Sequence, residues 1–184
     1  IQTKVAEKES ALQTFRSHID EKSALGIDTA AAEAKYSEAD QRIKTAKSLP
    51  STQYAQAYSN IDAAQTAIDD GETALDRAWA ENEVTSAQIP INNVDNIIQW
   101  FKANRTTSDD TQLPAIIAKR EVAVSYLSTA NDEISNGNYA QARVKAQDAF
   151  NKGNESYTDA LKRQYDVEHG GLFSWLKLPT IKLP

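Results

Sequence analysis

The tetrapeptide YAQA occurs twice in this chain, at Tyr54–Ala57 and, about 85 positions later, at Tyr139–Ala142. After each copy, small or apolar residues recur at alternating steps of three and four, the spacing of a helix that packs along its length. The first stripe is Tyr54, Ala57, Ile61, Ala64, Ile68, Gly71, Leu75 and Ala78, and the second is Tyr139, Ala142, Ala146, Ala149, Gly153, Ser156 and Ala160. Alanine at such places lets two helix axes approach to about 8 Å. The pattern predicts an internal duplication built from closely packed helices.

Each stripe forms the second half of a predicted helical hairpin. The hairpins pair residues 28–49 with 52–88 and residues 113–136 with 138–168, and turn-forming residues such as Pro50 and Gly137 join their halves. Another helix precedes each hairpin, with its apolar residues on one face. Those residues are Val5, Leu12, Phe15 and Ile19 in the first copy and Ile91, Val94, Ile98 and Phe101 in the second. Each copy is therefore predicted to contain three helices.

Short polar stretches mark where these helices begin and end. Gly26 can adopt the left-handed conformation that ends the first helix, and Asp28 can cap the next. Asp110 or Thr111 is the expected cap of the helix before the second stripe, and Pro114 suits its first turn. We expect Pro90 to bend or break the helix that joins the two copies, because its ring clashes with the preceding turn.

The fold class predicted from these patterns is all-α. The chain is divided into two tandem three-helix units, residues 1–88 and 89–169, followed by an extended apolar tail at 170–184. A long kinked helix shared by both units, as in spectrin-like coiled-coil tandems, and one elongated helical bundle with a common core are both compatible with the pattern. Trp79 and Trp100 flank the join between the copies. We expect both rings to fill the core, and burial in a contact between two bundles is the alternative.

Composition narrows the classes of partner and chemistry. The net charge is −6 and the basic residues are interspersed with acidic ones, which argues against nucleic-acid binding. There is no cysteine, so disulfides, thiolate metal sites and a cysteine nucleophile are excluded. There is also no methionine, even at position 1, so we expect that a signal peptide or an anchor helix has been removed upstream.

The sequence offers no convergent catalytic groups. The only histidines are His18 and His169, and the pair Asp166 and His169 lacks the further ligands that a metal site needs. Asp109 and Asp110 fall in a stretch too short for a calcium loop and fit helix capping better. No catalytic, cofactor-binding or metal-ligating residue is predicted, no cofactor is expected, and the chain is interpreted as not being an enzyme.

Two other features bear on cellular setting. Asn104 and Asn154 begin Asn-X-Thr and Asn-X-Ser sequons and are the candidate glycosylation sites. In the terminal segment, Leu172, Phe173, Trp175 and Leu176 form an apolar cluster flanked by lysine and without acidic residues. We expect the tail to dock on the bundle or to continue as a linker into a further domain, and contact of these four residues with a membrane surface or a partner is the competing hypothesis.

The segment LGIDTAAAEAKYSEADQRIKTAKSLPSTQYAQAYSNIDAAQTAID, from Leu25 to Asp69, resembles the alanine-rich helical hairpins of archaeal and some bacterial cell-surface and membrane-anchored proteins. The similarity lies in LGID at a helix start, AEA one turn later, and Y-x-x-A after the hairpin turn. The second hairpin also resembles a tetratricopeptide unit around Gly137 and Tyr139, but its helices are too long for a repeat of about 34 residues. The resemblance implies an extracytoplasmic spacer or interaction domain and carries over no catalytic residue.

The predicted function is therefore that of a non-enzymatic structural spacer or protein-interaction module. The expected location is extracytoplasmic, at the cell surface or anchored to a membrane, and the expected partner is another protein or a second copy of the chain. The envelope contact would be made by the tail or by an N-terminal anchor. The alternative is a helical sensor or adaptor that binds a small ligand or a peptide in a cleft lined by Tyr36, Tyr58, Tyr126 or Tyr157.

Overall fold

The structure is a computed structural model that describes residues 1–104 and 110–169. Within this part of the chain all regular structure is helical, which confirms the predicted all-α class. The helices are α1 (Gln2–Ala24), α2 (Ala30–Ser48), α3 (Tyr54–Ala103), α4 (Leu113–Ser135) and α5 (Tyr139–Glu168). Their bounds lie close to the predicted ones, except that α3 continues far beyond residue 88.

The predicted stop and start signals are used as expected. Gly26 has a φ of +76° after α1, and Gly137 has a φ of +78° between α4 and α5; both values favour glycine. The carboxylate of Asp28 accepts the backbone N–H of Ala30 at 3.0 Å, at the beginning of α2. Asp110, rather than Thr111, supplies the acceptor at the beginning of α4, where Pro114 occupies the first turn.

Of the two effects expected at Pro90, a bend or a break, the break does not occur. Helix α3 is continuous over 50 residues with Pro90 inside it, although a proline in a helix interior usually costs about 3 kcal/mol. Pro90 is buried, and a Cβ placed on Gly153 of α5 would lie only 3.1 Å from its Cγ. Because Gly153 has no side chain, the proline ring can pack closely against α5. This burial offsets the hydrogen bond that the ring removes.

Two compact units are present, and neither is continuous in sequence. Unit 1 comprises Ile1–Glu83 together with Glu133–Arg143, and the described part of unit 2 comprises residues 84–104, 110–132 and 144–169. Helices α3, α4 and α5 therefore each contribute residues to both units. The predicted boundary at 88/89 follows the order of the sequence copies. In the compact units, by contrast, the turn between α4 and α5 belongs to unit 1, although it lies in the second sequence copy.

The core of unit 1 surrounds the apolar face predicted for α1. Val5, Leu12, Phe15 and Ile19 are all buried, and Phe15 is fully enclosed. A Cβ on Gly71 would lie 2.3 Å from the Cζ of Phe15, so the ring occupies the space that a side chain at position 71 would need. Glycine lowers helix stability, but at position 71 it is needed because any larger residue would overlap the Phe15 ring.

Unit 2 repeats this arrangement with different side chains. Phe101 is fully enclosed, as Phe15 is, and belongs to a cluster with Val94, Ile98 and Ile116. A second cluster contains Ile91, Leu127 and three alanines, and Phe150 packs against it. Ser156, which lies 85 positions after Gly71, is also fully buried, and its hydroxyl donates to the carbonyl of Ile116 at 2.8 Å.

The two small-residue stripes form the packing seams, although Ala78 and Tyr139 are only half-buried and one member is exposed. The buried members are Ala57, Ile61, Ala64, Ile68, Gly71 and Leu75 in α3, and Ala142, Ala146, Ala149, Gly153, Ser156 and Ala160 in α5. Tyr54, which was placed at the start of the first stripe, is instead 58% exposed. The stripe pattern extends into the first turn of α3, but no neighbouring helix of unit 1 covers this ring.

Overpacking of the second seam gives a direct test of these contacts. Ala146 has no exposed surface, so Ala146→Leu should lower the free energy of unfolding by about 1–3 kcal/mol, because the added atoms force neighbouring helices apart. Ala140→Leu, at an exposed position of the same helix, is the control and should change stability by less than about 0.5 kcal/mol. Equal urea midpoints for the wild type and Ala146→Leu would show that Ala146 is not tightly packed against neighbouring helices.

Candidate functional site

A buried ion pair fixes the beginning of α4 in unit 2. The Asp110 side chain is 1% exposed, and one carboxylate oxygen accepts the backbone N–H groups of Gln112 and Leu113 at 2.9 and 3.1 Å. The other oxygen accepts a hydrogen bond from Arg163 Nε at 2.6 Å. Burial alone would raise the pKa of Asp110, but the Arg163 bond and the two backbone bonds outweigh it and lower the pKa. The group is a structural cap.

Further ion pairs link the helices of unit 2 at its surface. Arg120 of α4 binds Asp95 of α3 through two hydrogen bonds of 2.8 and 2.7 Å. Lys119 contacts both Glu155 and Asp159 of α5 at 2.6 Å. Hydrogen bonds from Lys119 and then Lys152 lower the pKa of Glu155 to about 2, so its carboxylate stays ionised at neutral pH. A carboxylate held in this way is not suited to accept protons as a general base near pH 7.

Trp79 of α3 lies between two cations of unit 1. Its ring centroid is 3.6 Å from Lys22 Nζ and 3.5 Å from the guanidinium carbon of Arg143. Because two cations this close to the centroid would overlap on one face of the ring, they lie on opposite faces. The indole Nε1 donates to Glu83 at 3.3 Å. Within the described residues the buried Nε of Arg143 has no hydrogen-bond partner. The contact between the guanidinium and the Trp79 ring is therefore the main interaction that offsets the burial of this group. This contact joins residues 133–143 to the rest of unit 1.

The two hairpin turns of the duplication have different surroundings. We call residues 48–58 tip 1 and residues 133–143 tip 2. In tip 2, Tyr139 and Arg143 are half-buried within unit 1. The residues at the same repeat positions in tip 1 are Tyr54, which is 58% exposed, and Tyr58, which is 43% exposed. Tip 1 contains no charged residue, although a quarter of the chain is charged.

An open cleft of about 680 Å³ lies beside tip 1 in unit 1. Apolar groups of Ile1, Val5, Leu49 and Tyr54 contribute to its lining. Lys47 and Glu9 also line it and form an ion pair of 2.7 Å. The cleft thus combines apolar surface with a charge pair that is already satisfied.

The predicted glycosylation residues lie in different settings. Asn104 is exposed just after α3, and its side-chain amide donates to the carbonyl of Trp100 at 2.9 Å. Asn154 is half-buried within α5, and the serine of its sequon is the fully buried Ser156. Both sites stay predictions. The candidate contact residues Leu172, Phe173, Trp175 and Leu176 lie outside the described residues.

The ionisable residues that were considered for metal binding do not converge. His18 contacts Glu72 at 2.8 Å on the exposed surface of unit 1, and His169 stacks on Tyr165 with ring centroids 4.0 Å apart. Across residues 1–104 and 110–169, His, Asp and Glu side chains form no group of three or more that could hold a metal ion.

The tyrosines considered for a ligand cleft belong to separate packing environments. Tyr36 packs against Phe15 in unit 1, with ring centroids 6.3 Å apart, and Tyr58 is exposed in tip 1. Tyr126 and Tyr157 each pack at the edge of a different core cluster of unit 2. The cleft beside tip 1 is lined by Tyr54 instead. Sequence reasoning missed Tyr54 because it treated this residue as part of the seam.

None of the described helices is both long and apolar enough to cross a bilayer. Comparison of the chain with protein-family models, with curated proteins and with solved structures gives no match.

Proposed function

We propose that this chain is a non-enzymatic structural spacer and protein-interaction module. The observation that supports it best is the use of its ionisable groups. Every described side chain with a shifted pKa is bonded to an oppositely charged neighbour, as Asp110 is to Arg163 and Glu155 is to Lys119. Shifted groups of this kind stabilise helix contacts, whereas an active site places them in a pocket around a reacting atom.

The cellular setting is also part of the proposal: an extracytoplasmic location, at the cell surface or anchored to a membrane, with protein partners and without nucleic acid. Its support is the resemblance of residues 25–69 to surface-protein hairpins, together with the sequons at Asn104 and Asn154 and the net charge of −6. Mass spectrometry of the protein from its native source, before and after enzymatic removal of glycans, tests the two sequons directly.

A thermal-shift screen tests the proposed function. A ligand that binds only the folded state at 100 times its Kd stabilises that state by about 2.7 kcal/mol, which raises the melting temperature by several degrees. We expect that divalent metals, nucleotides, amino acids and sugars at millimolar concentration leave the melting temperature unchanged within about 1 °C. A saturable rise caused by any of them would contradict a purely structural role.

The cleft beside tip 1 supports the alternative, a binding domain for a small ligand or a peptide. Its volume of about 680 Å³ falls within the range of about 300–1,000 Å³ that is typical of ligand sites. In the same screen, this alternative predicts a rise that disappears in a Tyr54→Ala variant. The structural proposal predicts no rise in either protein.

A further inference from the structure

The duplication provides an internal precedent for what covers a hairpin tip. Tip 2 packs inside unit 1, where Arg143 lies 3.5 Å from the centroid of the Trp79 ring. Tyr139 of the same tip lies within electrostatic range of Arg77. The surface that receives tip 2 therefore includes α3 of unit 1, which offers an aromatic ring at Trp79 and a cation at Arg77.

Tip 1 occupies the same sequence position in its own copy, but its turn is longer and its rings are exposed. Tyr54 and Tyr58 lie one helical turn apart on α3, and Tyr54 also lines the cleft, in which apolar groups adjoin the Lys47–Glu9 ion pair. Exposed tyrosines in a segment without charged residues are characteristic of the centre of a protein interface, where aromatic residues are enriched and charged residues are depleted. By the precedent of tip 2, the partner of tip 1 is the end of another three-helix unit.

The chain itself carries a surface suited to this role in unit 2. Lys162 lies 85 positions after Arg77, in α5. It is exposed and forms no ion pair with an acidic side chain of the described residues. Tyr165 lies one turn from its neighbour His169 and stacks on it, with an angle of 23° between the rings. This end of unit 2 therefore offers a free cation and an aromatic pair.

We propose that tip 1 of one molecule docks on the Lys162 and Tyr165 end of unit 2 in a second copy of this chain. By the same offset of 85 positions, the contact would repeat the approach of Tyr139 to Arg77 in tip 2, with Tyr54 supplying the ring and Lys162 the cation. Two different surfaces meet, so each added molecule leaves a free tip and a free end, and association continues unless the rotation between molecules closes a ring.

This inference rests on the proposed function, because it specifies the protein partner of the interaction module. A tip of 11 residues is smaller than a standard interface, so the junction should be weak and reversible. Its consequence is an assembly of spacers whose size depends on the local concentration of the protein.

Sedimentation equilibrium of the full chain, between about 10 μM and about 1 mM, tests the junction. We expect the average mass of the wild type to rise with concentration and to pass that of a dimer. Tyr54→Gln combined with Tyr58→Gln should raise the Kd at least tenfold without changing the melting temperature. Ile89→Gln combined with Val144→Gln is the matched control, since these residues are 58% and 54% exposed outside tip 1, and it should associate like the wild type.

A mixing experiment identifies the two surfaces. Lys162→Glu should also weaken association, but a mixture of this variant with the Tyr54→Gln, Tyr58→Gln variant should form a dimer that grows no further. Each protein then supplies the surface that the other lacks. An undiminished association of Lys162→Glu would overturn the head-to-tail junction, as would a wild type that stays monomeric. Neither result would affect the thermal-shift test, in which a saturating small ligand would instead contradict the proposed function.

Discussion

Phe15→Ala is expected to lower the free energy of unfolding by about 3–5 kcal/mol. Phe15 has no exposed surface, and its ring fills the space that Gly71 leaves open in α3. Removing the ring leaves a cavity that α3 cannot fill, because position 71 has no side chain to move into it. Urea denaturation followed by circular dichroism at 222 nm measures the loss.

The duplication supplies a matched variant for this measurement. Phe101 is equally enclosed in unit 2, so Phe101→Ala should cost a similar amount. Because three helices are common to both units, we expect either variant to unfold in a single transition. Leu25→Ala serves as the surface control, since Leu25 is 62% exposed. A Phe15→Ala midpoint equal to that of Leu25→Ala would show that the ring does not form the core of unit 1.

Arg163→Leu is expected to cost about 3–5 kcal/mol at pH 7, because it leaves the buried Asp110 carboxylate without its counter-ion. Asp110→Asn in the same protein should restore much of the loss, since asparagine also caps helices and carries no charge. Lys44→Leu is the control. Its ion pair with Asp40 is largely exposed, and such pairs contribute about 0–1 kcal/mol.

The same pair predicts a pH dependence with a defined sign. The pKa of Asp110 is lower in the folded state than its ordinary value near 3.9, so its stabilising contribution is complete above that value. The contribution is lost as the pH falls through the lowered pKa. In Arg163→Leu, protonation would relieve the buried charge, so the difference from the wild type should shrink in acid. A difference that stays constant from pH 7 to about pH 3 would contradict this account.

Local signals were read correctly from the sequence because they depend on neighbouring residues. The apolar face of α1 follows from helical periodicity, and the turn at Gly26 and the cap at Asp110 follow from backbone hydrogen bonding. The continuity of α3 could not be predicted in this way. It depends on Gly153, which is 63 positions away from Pro90 in sequence and receives its ring.

The candidate interaction surface was missed for a similar reason. Tyr54 fits the packing stripe in spacing, and only the tertiary structure shows that no helix of unit 1 covers it. Trp79 was expected to fill the core, as large aromatic residues usually do. Instead it holds Lys22 and Arg143, which come from helices distant in the chain. Neither contact leaves a pattern at short sequence separation.

The discontinuous composition of unit 1 has a consequence for biosynthesis. Its first 83 residues leave the ribosome early, but residues 133–143 follow only after most of unit 2 has been made. The Trp79 surface therefore stays uncovered during this interval, until Arg143 has been synthesised. Both units should acquire their final packing only after that point, and close together in time.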